Sequence, residues 1–314
     1  MQNKKYVHII MSTYNGGNYL NIQLDSLIAQ THTNWRLTIR DDGSTDDSVM
    51  IIKEYVSLDR RIEIFTDGLG NLKSCQSFSK LMENVPEDAN YIMFCDQDDI
   101  WHEDKIEKTL CTMIENEGVD QHMPILVYGT YDLVDENGRL IGINSPNYSQ
   151  YPKLSLLLGQ TYIYGCTMMI NKTLLKHALP IPLTAENHDY WVSLVCSIND
   201  GRFYYLEDPL IQYRQHSMNV SGSYKDSSYA SRFKRFFNGK ESLKLTKRIE
   251  MFKSLDNQFK HINNTHSRML KGFLVNLKKG NFYALNYCIK NKIRRRGTLQ
   301  TLSFYFNILK LVEQ

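Results

Sequence analysis

The strongest constraint in this sequence is an alternation: short β-branched and aromatic runs stop abruptly at polar loops, and amphipathic stretches follow them. Residues 6–12, 35–41, 62–66 and 91–95 read as strands, with helices over 19–30, 46–57 and about 77–83 between them. The first helix places Leu20, Leu24, Leu27 and Ile28 on one face. A β-α-β-α-β-α-β order predicts a mostly parallel sheet, because parallel neighbours need a crossover long enough to return the chain. Farther on, 125–134 and 140–143 read as a hairpin about Glu136 to Arg139, 161–170 as another strand, and 188–198 as a buried helix.

Charge divides the chain. The formal net charge of +3 conceals 20 Lys and Arg against 5 Asp and Glu from residue 225 onward, and the opposite bias before it. The last segment reads as helical, with Phe233, Phe236, Phe237, Leu243, Ile249, Phe252, Leu255 and Phe259 near helical spacing. Two regions are expected, 1–222 and a basic helical 223–314, joined by a Ser/Gly-rich linker over 220–228. The six cysteines are irregularly spaced and read as thiols of a cytosolic protein. The first residues contain too short an apolar stretch for a signal sequence, and no run is long enough to span a bilayer. The expected location is cytoplasmic or peripheral at the inner face of the cell membrane.

Chemistry concentrates where the predicted strands end, the edge at which open α/β sheets bind ligands. The run Tyr91-Ile92-Met93-Phe94-Cys95 leads straight into Asp96-Gln97-Asp98-Asp99. Three carboxylates in four residues beside a buried strand call for a compensating cation, and oxygen ligands suit Mg²⁺ or Mn²⁺. A solvated turn with helix-capping aspartates is the competing reading. The first strand leads into Ser12-Thr13-Tyr14-Asn15-Gly16-Gly17, and the second into Arg40-Asp41-Asp42-Gly43-Ser44. There an aspartate can accept from a pyrimidine N3–H while a tyrosine ring covers the base.

In this order, STYNG, DDGSTDD and DQDDIW resemble the family-2 inverting glycosyltransferases of GT-A fold, a Rossmann-like mixed sheet flanked by helices, here with a C-terminal all-helical extension. The resemblance covers about residues 5 to 220. GCTMMINKTLL, HDYWVSL and PLIQYRQHSMNVSG are similar to the bacterial rhamnosyltransferase-like enzymes of cell-surface polysaccharide synthesis. The resemblance implies that Thr13, Tyr14 and Asn15 line the nucleotide site and that Asp42, with Asp41, contacts the base. It implies Asp96 at the ribose or metal, Asp98 as principal metal ligand, and Asp99 as a capping or supporting residue. The family's catalytic base falls at Asp189, where His188 replaces the usual glutamate; acceptor contact and plain packing both stand for His188. Capping the following helix is the structural reading of Asp189.

His216 is a candidate third metal ligand and Arg214 a diphosphate or sugar contact. Gly165 begins the acceptor-side loop, Cys166 reads as packing, Lys73 as a solvated lysine, and Trp101 as a wall of the sugar pocket or a core residue.

The implied activity is transfer of a sugar, rhamnose favoured, from a dTDP- or UDP-activated donor to a glycan acceptor, lipid-linked or on a glycoprotein. FKRFF, KLTKR, LKK and KIRRR in the C-terminal segment fit an anionic membrane surface; packing and self-association compete, and no nucleic-acid module accompanies the charge. A sugar-phosphate nucleotidyltransferase is the alternative enzyme, although STYNGGNYL lacks the lysine expected of a triphosphate loop. A degenerate glycan-binding or complex-forming subunit is the non-enzymatic one.

Overall fold

The computed structural model describes residues 5–118, 122–144, 153–216 and 240–311. A seven-stranded sheet carries the first half of the chain. It uses β1 (Val7–Thr13), β2 (Trp35–Asp41), β3 (Ile62–Ile64), β4 (Tyr91–Cys95), β6 (Ile125–Gly129), β9 (Met169–Asn171) and β10 (Arg202–Leu206). Their order across the sheet is β10-β6-β9-β4-β1-β2-β3. Strands β1, β2, β3 and β4 are parallel, whereas β9 lies antiparallel between β4 and β6. The sheet is therefore mixed, as expected of GT-A. The strand expected over 161–170 shrinks to Met169–Asn171, because the residues before it turn through a 3₁₀ segment, Gly165–Thr167.

Alternation along the strands builds a core on each face. On β4, Ile92 and Phe94 join one apolar cluster while Tyr91, Met93 and Cys95 join the other. Helices α1 (Gly17–Ile28), α2 (Ser48–Leu58) and α4 (Lys105–Glu117) cover the second cluster through Leu20, Leu24, Ile52 and Ile106. The first lies under α3 (Lys73–Glu83), α5 (Leu154–Leu157), α6 (Lys172–Ala178) and α7 (His188–Ile198).

A second, four-stranded sheet runs β5-β11-β7-β8, from β5 (Ile100–Trp101), β7 (Tyr131–Val134), β8 (Leu140–Asn144) and β11 (Ile211–Arg214). The expected hairpin is β7-β8, antiparallel with an irregularity at Leu133/Val134. The segment 125–134 is not one strand: it leaves the large sheet after Gly129 and enters the small one at Tyr131.

The chain continues as α8 (Lys240–Gln258), α9 (Thr265–Lys279), α10 (Asn281–Lys290) and α11 (Thr298–Leu309). The expected linker and the boundary at 222/223 lie outside the described residues, as do Phe233, Phe236 and Phe237. Ile249, Phe252, Leu255 and Phe259 are buried, in one continuous core with Tyr190 and Trp191 of α7, Phe273 of α9 and Phe304 of α11. Leu243 faces outward instead, 60% exposed. Arg248 of α8 is bidentate to Glu186, with Nε at 2.9 Å and Nη2 at 3.1 Å, and Nη1 donates to the Gly159 carbonyl. The helical extension thus grips the segment that leads into α7.

Candidate active site

Parallel pairing decides where the loops meet. Thr13 is in register with Asp41 and Met11 with Cys95, so β1, β2 and β4 end along one edge of the sheet. The loops after β1 and β2 are laced together. Asn15 N–H donates to Ser44 Oγ at 2.8 Å, Gly16 N–H to Ser48 Oγ at 2.9 Å, and Thr45 N–H to Asn15 Oδ1 at 2.8 Å. Asn15 has φ +49°, a left-handed conformation that asparagine tolerates. Tyr14, between two anchored neighbours, is 48% exposed and free to present its ring to a base.

The acidic pair after β2 works inward. Asp41 accepts from Thr13 Oγ1, Ser44 Oγ and the Gly43 and Ser44 N–H groups. Asp42 is 2% exposed and accepts from Leu72 N–H at 2.7 Å, Lys73 N–H at 2.9 Å and the Arg40 guanidinium. Arg40 is itself buried and also ties Asp67, Ser77 and the Gly70 carbonyl. Asp42 therefore anchors the loop that begins α3, and Lys73 contributes its backbone. Any contact of Asp42 with a base must use acceptor capacity left over from these bonds.

Gln97, the spacer of D-Q-D, is the residue that sequence reading missed. Its Oε1 accepts from Tyr14 N–H at 2.7 Å and its Nε2 donates to the Tyr14 carbonyl at 3.1 Å, clamping the nucleotide-side loop to the acidic loop. Gly16 makes room: a Cβ there would lie 2.5 Å from Gln97 Cδ. Gln97→Ala is expected to weaken nucleotide binding about tenfold, two neutral hydrogen bonds' worth, with the fold retained. Calorimetry with dTDP or UDP measures this; unchanged affinity would leave Gln97 a surface link only.

The acidic cluster meets two distant segments. Strand β11 pairs antiparallel with β5, Ile211 opposite Trp101, which carries Arg214 and His216 back past the acidic loop. His216 Nε2 lies 2.7 Å from Asp98 Oδ2. Arg214 N–H donates to Asp99 Oδ1 at 3.2 Å and its Nε to the Asp98 carbonyl at 2.9 Å. The antiparallel insertion of β9 brings Gly165 and Cys166 to the same edge, so ligand atoms of Asp96, Asp99 and Cys166 all fall within 4.8 Å of one another. Cys166, 1% exposed, has the buried setting expected of packing and also borders both carboxylates. Lys105, fully buried at the start of α4, donates to the Cys166 carbonyl at 2.8 Å and places its ammonium 4.3 Å over the Trp101 ring. Burial and then the neighbouring negative charges of Asp98 and Asp189 push Asp96 above the usual carboxylate range. Burial, then Asp98 and Asp96, does the same to Asp99.

The chemistry of these groups suits a divalent cation. Asp98 Oδ2 and His216 Nε2 meet at a mostly buried point, the group close enough to share one ion is Asp96, Asp99 and Cys166, and Asp96, raised first by burial and then by Asp98 and Asp189, is a carboxyl that a cation would relieve.

Asp189 opens α7. Its Oδ2 accepts from Gly165 N–H at 3.1 Å and its Oδ1 from Tyr190 N–H at 2.6 Å. Burial lifts the carboxyl to about 6, against the pull of those two N–H groups. The side chain thus serves the first turn of α7, whose N-cap position is Asn187, while carrying a raised carboxyl. His188 is sandwiched between Phe78, 4.0 Å between ring centroids, and Phe94, 5.2 Å. Burial lowers it to about 3 and keeps it neutral. Packing, not acceptor contact, is its observed setting. A Cβ on Gly165 would lie 2.6 Å from His188 Nε2, so the glycine lets the base, the histidine ring and the acceptor-side loop approach one another.

Two candidates sit deep in the fold. Trp101 is 2% exposed and packs in the core, the second of its two readings, while also lining a cleft with Thr31 and His102. Arg214 is also 2% exposed, with Nη1 on the Glu136 carbonyl, and in this setting it braces the acidic loop.

The same arrangement has relatives. The chain is 27% identical over 237 residues to the dTDP-rhamnosyl transferase RfbG of Shigella flexneri, covering 72% of this chain and 77% of that protein. It is 27% identical over 191 residues to the UDP-Glc:alpha-D-GlcNAc-diphosphoundecaprenol beta-1,3-glucosyltransferase WfgD of Escherichia coli, covering 60% and 69%. Among solved structures, S. aureus TarS in complex with UDP-GlcNAc aligns with TM-score 0.57 at 15% identity, over 97% of this chain and 90% of that one. That likeness shows the fold. The glycosyl transferase family 2 profile matches residues 8–179, more than half of the chain, and the chain belongs to that family.

Proposed function

We propose that this glycosyltransferase moves one hexose, rhamnose by preference, from a dTDP- or UDP-activated donor to a growing cell-surface glycan, with inversion at the anomeric carbon. The observation that carries the reading is Asp189, a half-buried carboxylate fixed by the Gly165 and Tyr190 N–H groups, whose charge acts on Asp96 of the acidic cluster. The 27% identity to a dTDP-rhamnosyl transferase supports the donor, and that to a glucosyltransferase acting on a diphosphoundecaprenol-linked sugar supports a lipid-linked acceptor at the inner face of the membrane.

In this reaction the acceptor oxygen attacks the anomeric carbon as its proton passes to an Asp189 carboxylate oxygen. The bond to the nucleotide diphosphate breaks on the opposite side, and its electron pair leaves with the diphosphate. Tyr14 covers the base, and the Gln97 clamp holds that loop against the acidic one. Asp98 and His216, with Asp96 adjacent, would hold a Mn²⁺ or Mg²⁺ ion, which would supply neutralisation of the departing charge.

The base must be ionised to accept a proton. With its carboxyl raised to about 6, Asp189 is charged at pH 7 and increasingly protonated below 6. The turnover number is expected to fall about tenfold per pH unit below that point and to be level just above it. A profile flat down to pH 4.5, about a unit and a half below, would contradict the assignment.

Calorimetry with dTDP, UDP and GDP, with and without Mn²⁺ or Mg²⁺, tests the donor side. Metal-dependent binding of a pyrimidine diphosphate is expected. Binding of GDP alone, or of none by folded protein, would overturn the donor reading.

A further inference from the structure

The last two helices show a face that the catalytic reading does not use. Helix α11, Thr298–Leu309, contains no charged residue. It buries Phe304, Asn307 and Ile308, while Leu299, Leu302 and Leu309 point outward at 66, 53 and 37% exposure. Helix α10 buries Ala284 and Cys288 and exposes Phe282, Tyr283 and Ile289, at 79, 59 and 54%. The helices pack against each other. Asn281 Nδ2 donates to the Leu309 and Leu311 carbonyls, so the start of α10 lies at the end of α11 and the pair is an antiparallel hairpin. On a helical wheel each outer face is opposite the buried one. Six large apolar side chains on one hairpin exceed the scattered exposure usual for a surface.

Charge identifies what covers that face. Between Asp256 and Glu313 the sequence has 11 Lys and Arg and no Asp or Glu. Lys290, Lys292, Arg294 and Lys310 are exposed at the ends of the hairpin. A cleft of about 900 Å³ beside Asn281 and Leu311 is lined by five lysines, Lys253, Lys260, Lys271, Lys278 and Lys279, against two carboxylates, Glu250 and Asp256, so its balance is cationic. A second copy of this chain seated on the face would oppose two such cationic surfaces at close range. An anionic bilayer matches both parts: its headgroups meet the lysines and its upper acyl region the leucines and Phe282. Among the described residues no helix is long and apolar enough to cross a membrane.

We propose that the α10–α11 hairpin is a membrane-docking element that lies in the plane of an anionic bilayer surface. This deepens the reading of a lipid-linked acceptor but is measured independently of it.

Flotation of the full chain with vesicles of equal parts phosphatidylglycerol and phosphatidylcholine, against phosphatidylcholine alone, tests the proposal. The wild type is expected to float with the anionic vesicles only. Leu299→Ser with Leu302→Ser, and separately Lys290→Glu with Arg294→Glu, are each expected to lower partitioning about tenfold. All four positions are exposed, so circular dichroism and donor hydrolysis in solution should be unchanged; that readout separates failure of docking from failure of the transferase reading. No flotation of the wild type, equal flotation of both variants, or a dimer lost in the leucine variant without vesicle binding would each overturn the proposal.

Discussion

Asp189→Asn is expected to lower turnover by about 10³-fold while leaving the donor dissociation constant within about twofold. The amide cannot take the acceptor proton, yet its size is that of the carboxylate and its oxygen can still accept from Gly165 N–H or Tyr190 N–H. One of the two hydrogen bonds that hold the start of α7 therefore keeps its partner in the variant, a loss of about 1 to 2 kcal/mol in stability that circular dichroism separates from the loss of proton transfer. Single-turnover transfer, paired with calorimetric donor binding, separates the two effects. Unchanged turnover would reduce Asp189 to a helix cap. A parallel loss of donor affinity would make it part of the donor pocket, a real contest because its charge already acts on Asp96.

Asp98→Ala is expected to abolish the metal dependence of donor binding and to lower turnover by about 10³-fold, the several kcal/mol that a cation contributes on a leaving diphosphate. The variant should fold. The loop is held by Gln97 on Tyr14, by Arg214 Nε on the Asp98 carbonyl, and by Arg214 N–H on Asp99, none of which uses the Asp98 side chain. His216 loses its carboxylate partner, so His216→Ala is the companion variant, with the same direction and a smaller effect. Nucleotide binding that stays metal-dependent in Asp98→Ala would move the cation to the neighbouring Asp96, Asp99 and Cys166 group.

Much of this was legible because the informative patterns are local. The uninterrupted apolar run Tyr91 to Cys95 and the largely apolar 188–198 mark elements buried on every side, and the structure holds both spans unchanged. Acidic groups directly after a buried strand are costly unless compensated, which is why Asp96 to Asp99 stood out. Residues whose function depends on a partner far along the chain were not legible. Gln97 reaches 83 positions back to Tyr14, whereas His216, which reaches 118 back to Asp98, is a candidate only through the family resemblance. A glutamine spacer looks like any polar loop residue. Arg40 and Lys105 likewise carry no local mark of their setting, although each is buried and balances carboxylates that the fold brings near.

Local pattern sufficed for the first four strands to within two residues, the order of the acidic motifs and the family resemblance, because each rests on spacing within one element and its adjoining loop. Only the tertiary structure decided which groups share a site. Parallel pairing of β1, β2 and β4 aligns three loops at one edge, the antiparallel β9 turns Gly165 and Cys166 back to that edge, and β5–β11 pairing returns His216 to Asp98. It also decided that the basic helices share a core with α7 and hold Glu186 through Arg248, since burial against a distant element leaves no mark on local periodicity.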